Sequence, residues 1–493
     1  MRTTSRILNS IFLLFLSSML FAQHVTLNKA IGIAKNHLSI VTGGKSKSAN
    51  IKINKPQNFS VLSSVSKADT LMFILNDTLN NNFTIVAADE RVWPIIGYSL
   101  EGRYNEKDPP PAFVEWLETK KREIEYVKLN NIKPESIVSQ QWEYLSSPNT
   151  KSAQALTDVV PLLKTSWNQG CYFNTQCPFD GNGSCSHVQT GCVATSMAQI
   201  MKYWSYPTKG TGSKSYTHPT YGNIAADFGS TTYLWSQMPE NVTSQNDAIS
   251  TLMFHCGVSV NMDYGPVVSN AGDPLDAFIN YFNYSSEAEF VLMNSYTASE
   301  WAALLKAELD LKHPVWYRGN KLDAGHAWVC DGYQNSDYFH FNWGWGGSQD
   351  GYFYLDNMNY KTDQGAIIKI FPTSVPDGFQ GIILSTNNLT IGGNGGTASF
   401  SISSSVNWAV TSDQSWLSVN TGTGLAGTSK ITLTANENTT AGTRSASVTV
   451  SCTGFGNQVI TVSQGTNVVI SSVSTQPGSL HDELGSKLAS VTK

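Results

Sequence analysis

Residues 189–204 read QTGCVATSMAQIMKYW. From Val193 onward, Ala194, Met197, Ala198, Met201 and Trp204 recur at spacings of three and four, the pattern of an amphipathic helix with one packed face. Gly191 precedes the helix and Cys192 falls at its N-terminus. Unpaired backbone N–H groups and the positive end of the helix dipole favour negative charge there, so the thiol is expected to shift toward thiolate, its reactive form. A lone cysteine at such a place serves equally well as a small buried hydrophobe. The rest of the chain has to decide.

At 493 residues the chain has room for about three domains. Only 14% of residues are charged, and a net charge of -5 with no clustering of sign leaves no footprint for nucleic acid or an anionic membrane. The N-terminus, MRTTSRILNSIFLLFLSSMLFAQ, places Arg2 and Arg6 ahead of an apolar run from Ile7 to Phe21. That is a secretory signal layout, expected to span residues 1–22 with cleavage after Ala22. No other stretch approaches the ~20 apolar residues of a membrane span. Export bears on the 7 cysteines, of which Cys171, Cys177, Cys185 and Cys192 are crowded together. In an oxidising compartment two of the first three are free to pair and leave Cys192 reduced. Cys171, Cys177, Cys185 and His187 have the right atoms for zinc but not the short paired spacings of zinc sites, so no metal or other cofactor is expected.

Composition divides the remainder. Residues 23–150 hold a helical opening at Val25–Leu38, strand-like runs TLMFILND and FTIVAADERVWPIIGYS, and a helical pattern from Phe113 to Leu129 behind the break at Pro109–Pro111. The polar stretch LSSPNTKSAQALTD then reads as an exposed linker open to proteolysis. Residues 151–373 mix helix with the strand-like runs PVWYRG, GHAWVCDGYQ, DYFHFNWGW and GYFYLDNM, an α+β arrangement. Residues 381–465 carry short alternating Thr, Ser and Val strands between Gly and Asn turns, which implies an all-β, immunoglobulin-like sandwich. Residues 466–493 form a tail of unassigned role.

A thiolate nucleophile needs a base, a group to orient that base, and donors for the developing oxyanion. His326 in DAGHAWVCDGY is placed to be the base, presented by a strand between Gly325 and Ala327. Asn342 in HFNWGWGG offers an amide oxygen to the imidazole N–H, with Trp343 and Trp345 shielding that bond from water. Gln169 in TSWNQG is an amide donor upstream of the cysteine.

The ordered set WNQG, TGCVATSMAQIMKYW, MDYGP, GHAWVCDGY and HFNWGWGG resembles the streptopain family of secreted papain-like cysteine peptidases, over residues 23 to about 372. The resemblance implies a papain-like fold preceded by an α+β inhibitory pro-domain, and a bacterial protein that is secreted, periplasmic or at the cell surface. It implies Cys192 as nucleophile, His326 as general base and acid, Gln169 as oxyanion donor, and Asn342 and Trp343 as the groups that orient and shield the histidine. The loop Met262–Gly272, with Met262, Gly265, Val267, Ser269 and Ala271, corresponds to a wall of the pocket for the side chain before the scissile residue, expected to favour apolar groups, and Ala324 and Gly325 are further substrate-binding candidates. Protein or peptide substrates and the chain's own pro-domain are the implied partners. The C-terminal region resembles BACON-type domains through Trp408, SWLSV with Trp416, Asn436, Arg444 and a closing VSQ, which brings an expectation of carbohydrate or mucin contact. Two other readings stand beside the endopeptidase: a non-catalytic surface binding protein, and a cell-wall peptide amidase using the same Cys and His chemistry.

Overall fold

The structure, a computed structural model, describes residues 24–43, 51–53, 57–58, 70–147, 158–319, 325–334, 338–355 and 363–467. The expected signal segment, most of the linker, Ala324 and nearly all of the C-terminal tail lie outside the described residues. The chain divides into two compact units, Met1–Ser385 and Thr386–Lys493.

In the first unit an antiparallel sheet runs across the expected boundary near residue 150. The N-terminal strands Thr70–Asp77, Asn82–Ala87 and Ile95–Ser99 form a meander whose last strand pairs with Gly351–Tyr354, matching Tyr98 to Tyr352 and Gly97 to Phe353. The sheet continues through Tyr338–Asn342, Ala327–Gln334, Val315–Arg318, Gly365–Ile368 and Glu289–Leu292. These strands are apolar on both faces because helices cover both; Asn82–Ala87 and Ile95–Ser99 are buried throughout. At the seam Gly97 is required, since a Cβ there would lie 2.5 Å from the Phe353 ring.

The helices fall close to their sequence patterns. Thr26 caps Leu27–Val41 by accepting from the Lys29 N–H, and Thr297 with Glu300 forms a capping box on Ala298–Asp310. The prolines before residue 112 do not break the chain as the sequence suggests. Pro111 instead opens the helix Pro111–Leu129, where its missing N–H has no intrahelical partner to lose. That helix shares one core with the N-terminal strands and with Trp328, Phe341 and Phe353 of the later ones, whereas Cys192–Trp204 and Asp247–Ser259 share a second core with Val329, Ile367 and Ile370.

One buried ionic cluster lies where the N-terminal region meets the later strands. His340 Nδ1 is 2.6 Å from Asp331 and its Nε2 is 3.1 Å from Glu101; the other Asp331 oxygen accepts from the Leu163 N–H. Burial alone lowers the His340 pKa, but the two carboxylates outweigh it and raise it to about 10. Asp350 beside them is pushed up to about 8 by burial. Both folded-state values lie above the ordinary ones, 6.5 and 3.8, so both groups stabilise the fold at lower pH and lose that contribution as pH rises through about 8 and then about 10. The melting temperature is expected to fall as pH rises from 3.8 to about 8 through Asp350 and from 6.5 to about 10 through His340 in a calorimetric pH series, and a rise there contradicts the assignment.

The second unit is built from Gly396–Ser404, Gly427–Ala435 and Leu417–Val419 in one sheet, with Asn388–Ile391, Phe455–Gln464, Arg444–Cys452, Trp408–Ser412 and Thr423–Gly424 in another. Ile431, Leu433, Val448, Val450, Ile460 and Val462 alternate inward, the pattern of a sandwich core. Trp408 is 3% exposed. Trp416 lies beneath the Arg444 guanidinium, 4.3 Å from its ring centre.

Candidate active site

Gly191 turns the chain into the Cys192–Trp204 helix with φ +86°. A Cβ at that position would sit 2.8 Å from the Met262 side chain, so only glycine fits. Cys192 therefore occupies the first turn, as its sequence position predicts, and Ala327 N–H donates to its Sγ at 3.4 Å. Its protonation differs from expectation. Burial raises the Cys192 pKa and the nearby Glu115 charge adds to that, more than the N–H groups of Ala327, Val193 and Cys192 itself offset. The helix terminus acts as argued, but the site is closed, and in this state the thiol keeps its proton.

Glu115 is what closes it. This residue lies on the N-terminal helix Pro111–Leu129, and its carboxylate stands 4.0 Å from His326 Nε2. Among the described residues His326 makes no hydrogen bond to Cys192, although the two are neighbours through Ala327. Burial lowers the His326 pKa. Burial pushes Glu115 up to about 7, against the favourable His326 backbone N–H and Arg122. Because that value exceeds the ordinary 4.5, seating of the helix is strongest when Glu115 is protonated, and the advantage disappears as pH rises through about 7. Chain cut at the linker is expected to hold its N-terminal region most tightly on the acid side, by size-exclusion or labelled-fragment release. Glu115→Gln should remove most of that pH dependence; an unchanged pH profile in the variant would refute the role.

The other candidates are brought near, but not in every expected contact. Asn342 does not reach His326. Its Oδ1 accepts from Gln199 Nε2 at 2.9 Å and from the Gly344 N–H at 3.1 Å, while its Nδ2 donates to the Thr165 carbonyl. The cysteine helix thus competes for the amide that was expected to orient the imidazole. Trp343 is 1% exposed, with its Nε1 on the Gln349 carbonyl, and it packs on Trp328, Phe353 and the N-terminal helix residues Phe113 and Trp116. Trp345 is half-buried and lines an adjacent cleft, and Trp343 is the more deeply buried of the two. Gln169 is half-buried, its backbone carbonyl accepting from the N–H of Thr190, two residues before Cys192.

The loop 262–272 sits against the chain leading to Cys192. Ser269 Oγ donates to the Gln189 carbonyl and Gly265 accepts from the Gln189 N–H. Met262 is fully buried under Gly191, whereas Val267 is 77% exposed. Ala271 is partly buried against the second core, and Gly325 is exposed next to His326. Cys171 and Cys185 form a disulfide, which removes two of the considered zinc ligands, and Cys177 is a buried thiol.

Sequence reasoning missed Glu115 and Gln199. Gln199 was legible in principle, two turns along the helix from Cys192 on a face that has to meet the strands. Glu115 carried no signal, because it is one of several acidic residues in a helix of mixed charge.

Comparison with known proteins agrees with this arrangement. Residues 167–353 match the Peptidase C10 family, residues 22–124 the Spi protease inhibitor family, and residues 381–467 the viral BACON domain. The chain is 31% identical over 393 residues to the thiol protease/hemagglutinin PrtT of Porphyromonas gingivalis, covering 73% of this chain but only 43% of that relative. It is 31% identical over 361 residues to streptopain of Streptococcus pyogenes, covering 67% of this chain and 84% of streptopain. A solved fragment of Prevotella intermedia prointerpain A superposes with a TM-score of 0.52 at 31% identity, covering 61% of this chain and 96% of that fragment.

Proposed function

The chain belongs to the peptidase C10 family, the streptopain family of cysteine peptidases, and from that premise we infer a cysteine endopeptidase made as a zymogen. The observation that supports this most is the carboxylate of the inhibitor-like region lying 4.0 Å from His326, next to a cysteine at a helix N-terminus. Once the linker near residue 150 is cut and the Pro111–Leu129 helix withdraws, Glu115 leaves and the burial that holds the proton on Cys192 is relieved. His326 then takes that proton. The Cys192 thiolate attacks the peptide carbonyl, and the Gln169 side chain with the Cys192 N–H receives the oxyanion. His326 protonates the departing amine, and water, deprotonated by the same imidazole, hydrolyses the thioester. Trp343 keeps water from the histidine face, and the 262–272 loop receives the side chain before the scissile residue.

The protein is taken as exported from a bacterial cell. A Cys171–Cys185 disulfide suits an oxidising compartment, and among the described residues no helix is long and apolar enough to cross a membrane. The C-terminal unit is assigned a spacer or targeting role. Carbohydrate or mucin contact through it would need a ring face other than Trp408, which is buried, or Trp416, which Arg444 covers.

Intact-mass analysis of residues 23–493 under reducing conditions tests the whole reading. Wild type is expected to shorten near residue 150 over time while Cys192→Ala stays whole. If both stay whole, the linker is cut by another protease; if, after such a cut, casein is still not hydrolysed, the endopeptidase reading is wrong.

A further inference from the structure

The hairpin Ser213–His218 with Gly222–Asp227 stands apart from the long sheet as a two-stranded sheet of its own, Tyr216 opposite Ile224 and His218 opposite Gly222. Ile224 and Ala226 seat it on the core that holds the Asp247–Ser259 helix, and Lys214 Nζ donates to the Ser259 carbonyl at 2.7 Å. Along the first strand Ser213, Ser215 and Thr217 are exposed, yet His218 at its end is only 4% exposed. A polar ring buried at the tip of a surface hairpin adds little to the hairpin's own stability, so its contacts explain it better.

Those contacts fix the ring from two sides. Nδ1 accepts the N–H groups of Thr220 and Tyr221 at 3.1 and 3.2 Å, and Tyr221 stacks on the imidazole with ring centres 4.9 Å apart. With Nδ1 occupied as an acceptor, Nε2 carries the proton and donates to Asp263 Oδ1 at 3.0 Å. Tyr216, two residues earlier and on the same face of the strand, donates its hydroxyl to the Met262 carbonyl at 2.6 Å. Both bonds land on the first two residues of the 262–272 loop. There Asp263 and Asn270 exchange backbone hydrogen bonds at 2.8 and 3.0 Å, which closes the residues between them into a ring, and Ser269 Oγ ties the far side to the Gln189 carbonyl. Val267 and Val268 at the tip are 77% and 50% exposed, so they contribute little packing and the tip takes its position from the base.

Resting on the catalytic reading above, we propose that His218 and Tyr216 are positioning residues for substrate selection, acting through Asp263 and the Met262 carbonyl to hold the 262–272 loop where it meets the side chain before the scissile residue. A loop already held in place loses less conformational freedom when an apolar side chain packs on it, so the hairpin sets how strongly such a side chain is preferred.

The test is the kinetics of full chain cut at the linker on two peptides that differ only in the residue before the scissile residue, leucine or alanine. Wild type is expected to prefer leucine by about tenfold or more in kcat/KM. His218→Phe keeps a ring to stack on Tyr221 but has no proton for Asp263. It should raise KM for the leucine peptide about tenfold, leave kcat within about twofold, and change the alanine peptide by less than about twofold, because only the larger side chain packs on the loop. His218→Gln, whose amide still donates, should recover most of the loss, and joining Asp263→Ala to His218→Phe should add less than about twofold. A purely structural role would instead lower kcat on both peptides at unchanged KM, through loss of active sites, and that result overturns the proposal. Should His218→Phe fail to fold, Tyr216→Phe, which removes a single hydroxyl, reads the same split, and an unchanged KM there overturns it. Wild type that cleaves both peptides equally well overturns the role of the loop and the proposal with it; wild type that cleaves neither overturns the catalytic reading.

Discussion

Cys192→Ala is expected to lower peptide hydrolysis by roughly 10⁴-fold or more while leaving the melting temperature nearly unchanged. The cysteine is 9% exposed and its Sγ accepts from the Ala327 N–H. Removing one sulfur leaves a small void and one weakly bonded backbone N–H, which costs about 1 kcal/mol. Chemically nothing replaces it. Cys177, Cys256 and Cys330 are buried thiols, Cys452 lies in the C-terminal unit, and desolvation raises the pKa of each, so none offers a thiolate. A steady-state assay on casein with the linker-cut variant, beside a thermal melt, checks both halves. Activity near that of the wild type would remove Cys192 from the mechanism, and a collapsed melt would show that its role is structural.

Trp116→Ala should unseat the N-terminal helix. Trp116 is 2% exposed and meets Phe353 edge-on at 4.7 Å and Trp343 at 6.4 Å, on the same helix that carries Glu115. Deleting a buried tryptophan typically costs about 3–5 kcal/mol, and here the loss falls on the contact between the helix and the catalytic strands. Glu115 is then no longer held at His326 and Cys192 is no longer covered. In uncut chain, alkylation of Cys192 by a thiol reagent is expected to accelerate by about two orders of magnitude. Phe113→Ala, which removes the neighbouring contact to Trp343 at 5.7 Å, should act in the same direction. Mass mapping of the alkylated site separates this from general unfolding, because unfolding would also label Cys256 and Cys330, which belong to the two cores. Unchanged labelling in both variants would mean that the helix does not guard the nucleophile.

What could be read from the sequence was whatever depends on local pattern. Three- and four-residue spacing after Gly191 placed Cys192 at the start of a helix, and that is where it lies. Alternation and apolar runs located the strands bearing Ala327 and Asn342, and the alternating Thr, Ser and Val runs between Gly and Asn turns after residue 381 announced a sandwich. Helix and strand periodicity are properties of neighbouring residues, so they survive without knowledge of the fold. Long-range partners are not of that kind. No local signal says that Asn342 will spend its amide on Gln199 and Thr165, or that one acidic residue of a mixed-charge helix will face His326. The thiol shows the distinction best. Its helix-terminal position argues for thiolate, yet burial beneath the N-terminal region and the nearby Glu115 carboxylate argue for the protonated form, and in the closed state they win. Sequence alone thus supplied the candidates for the chemistry and the elements on which they stand. Only the tertiary structure decided that they are held in a latent arrangement, because desolvation and charge proximity depend on what the rest of the chain packs against them.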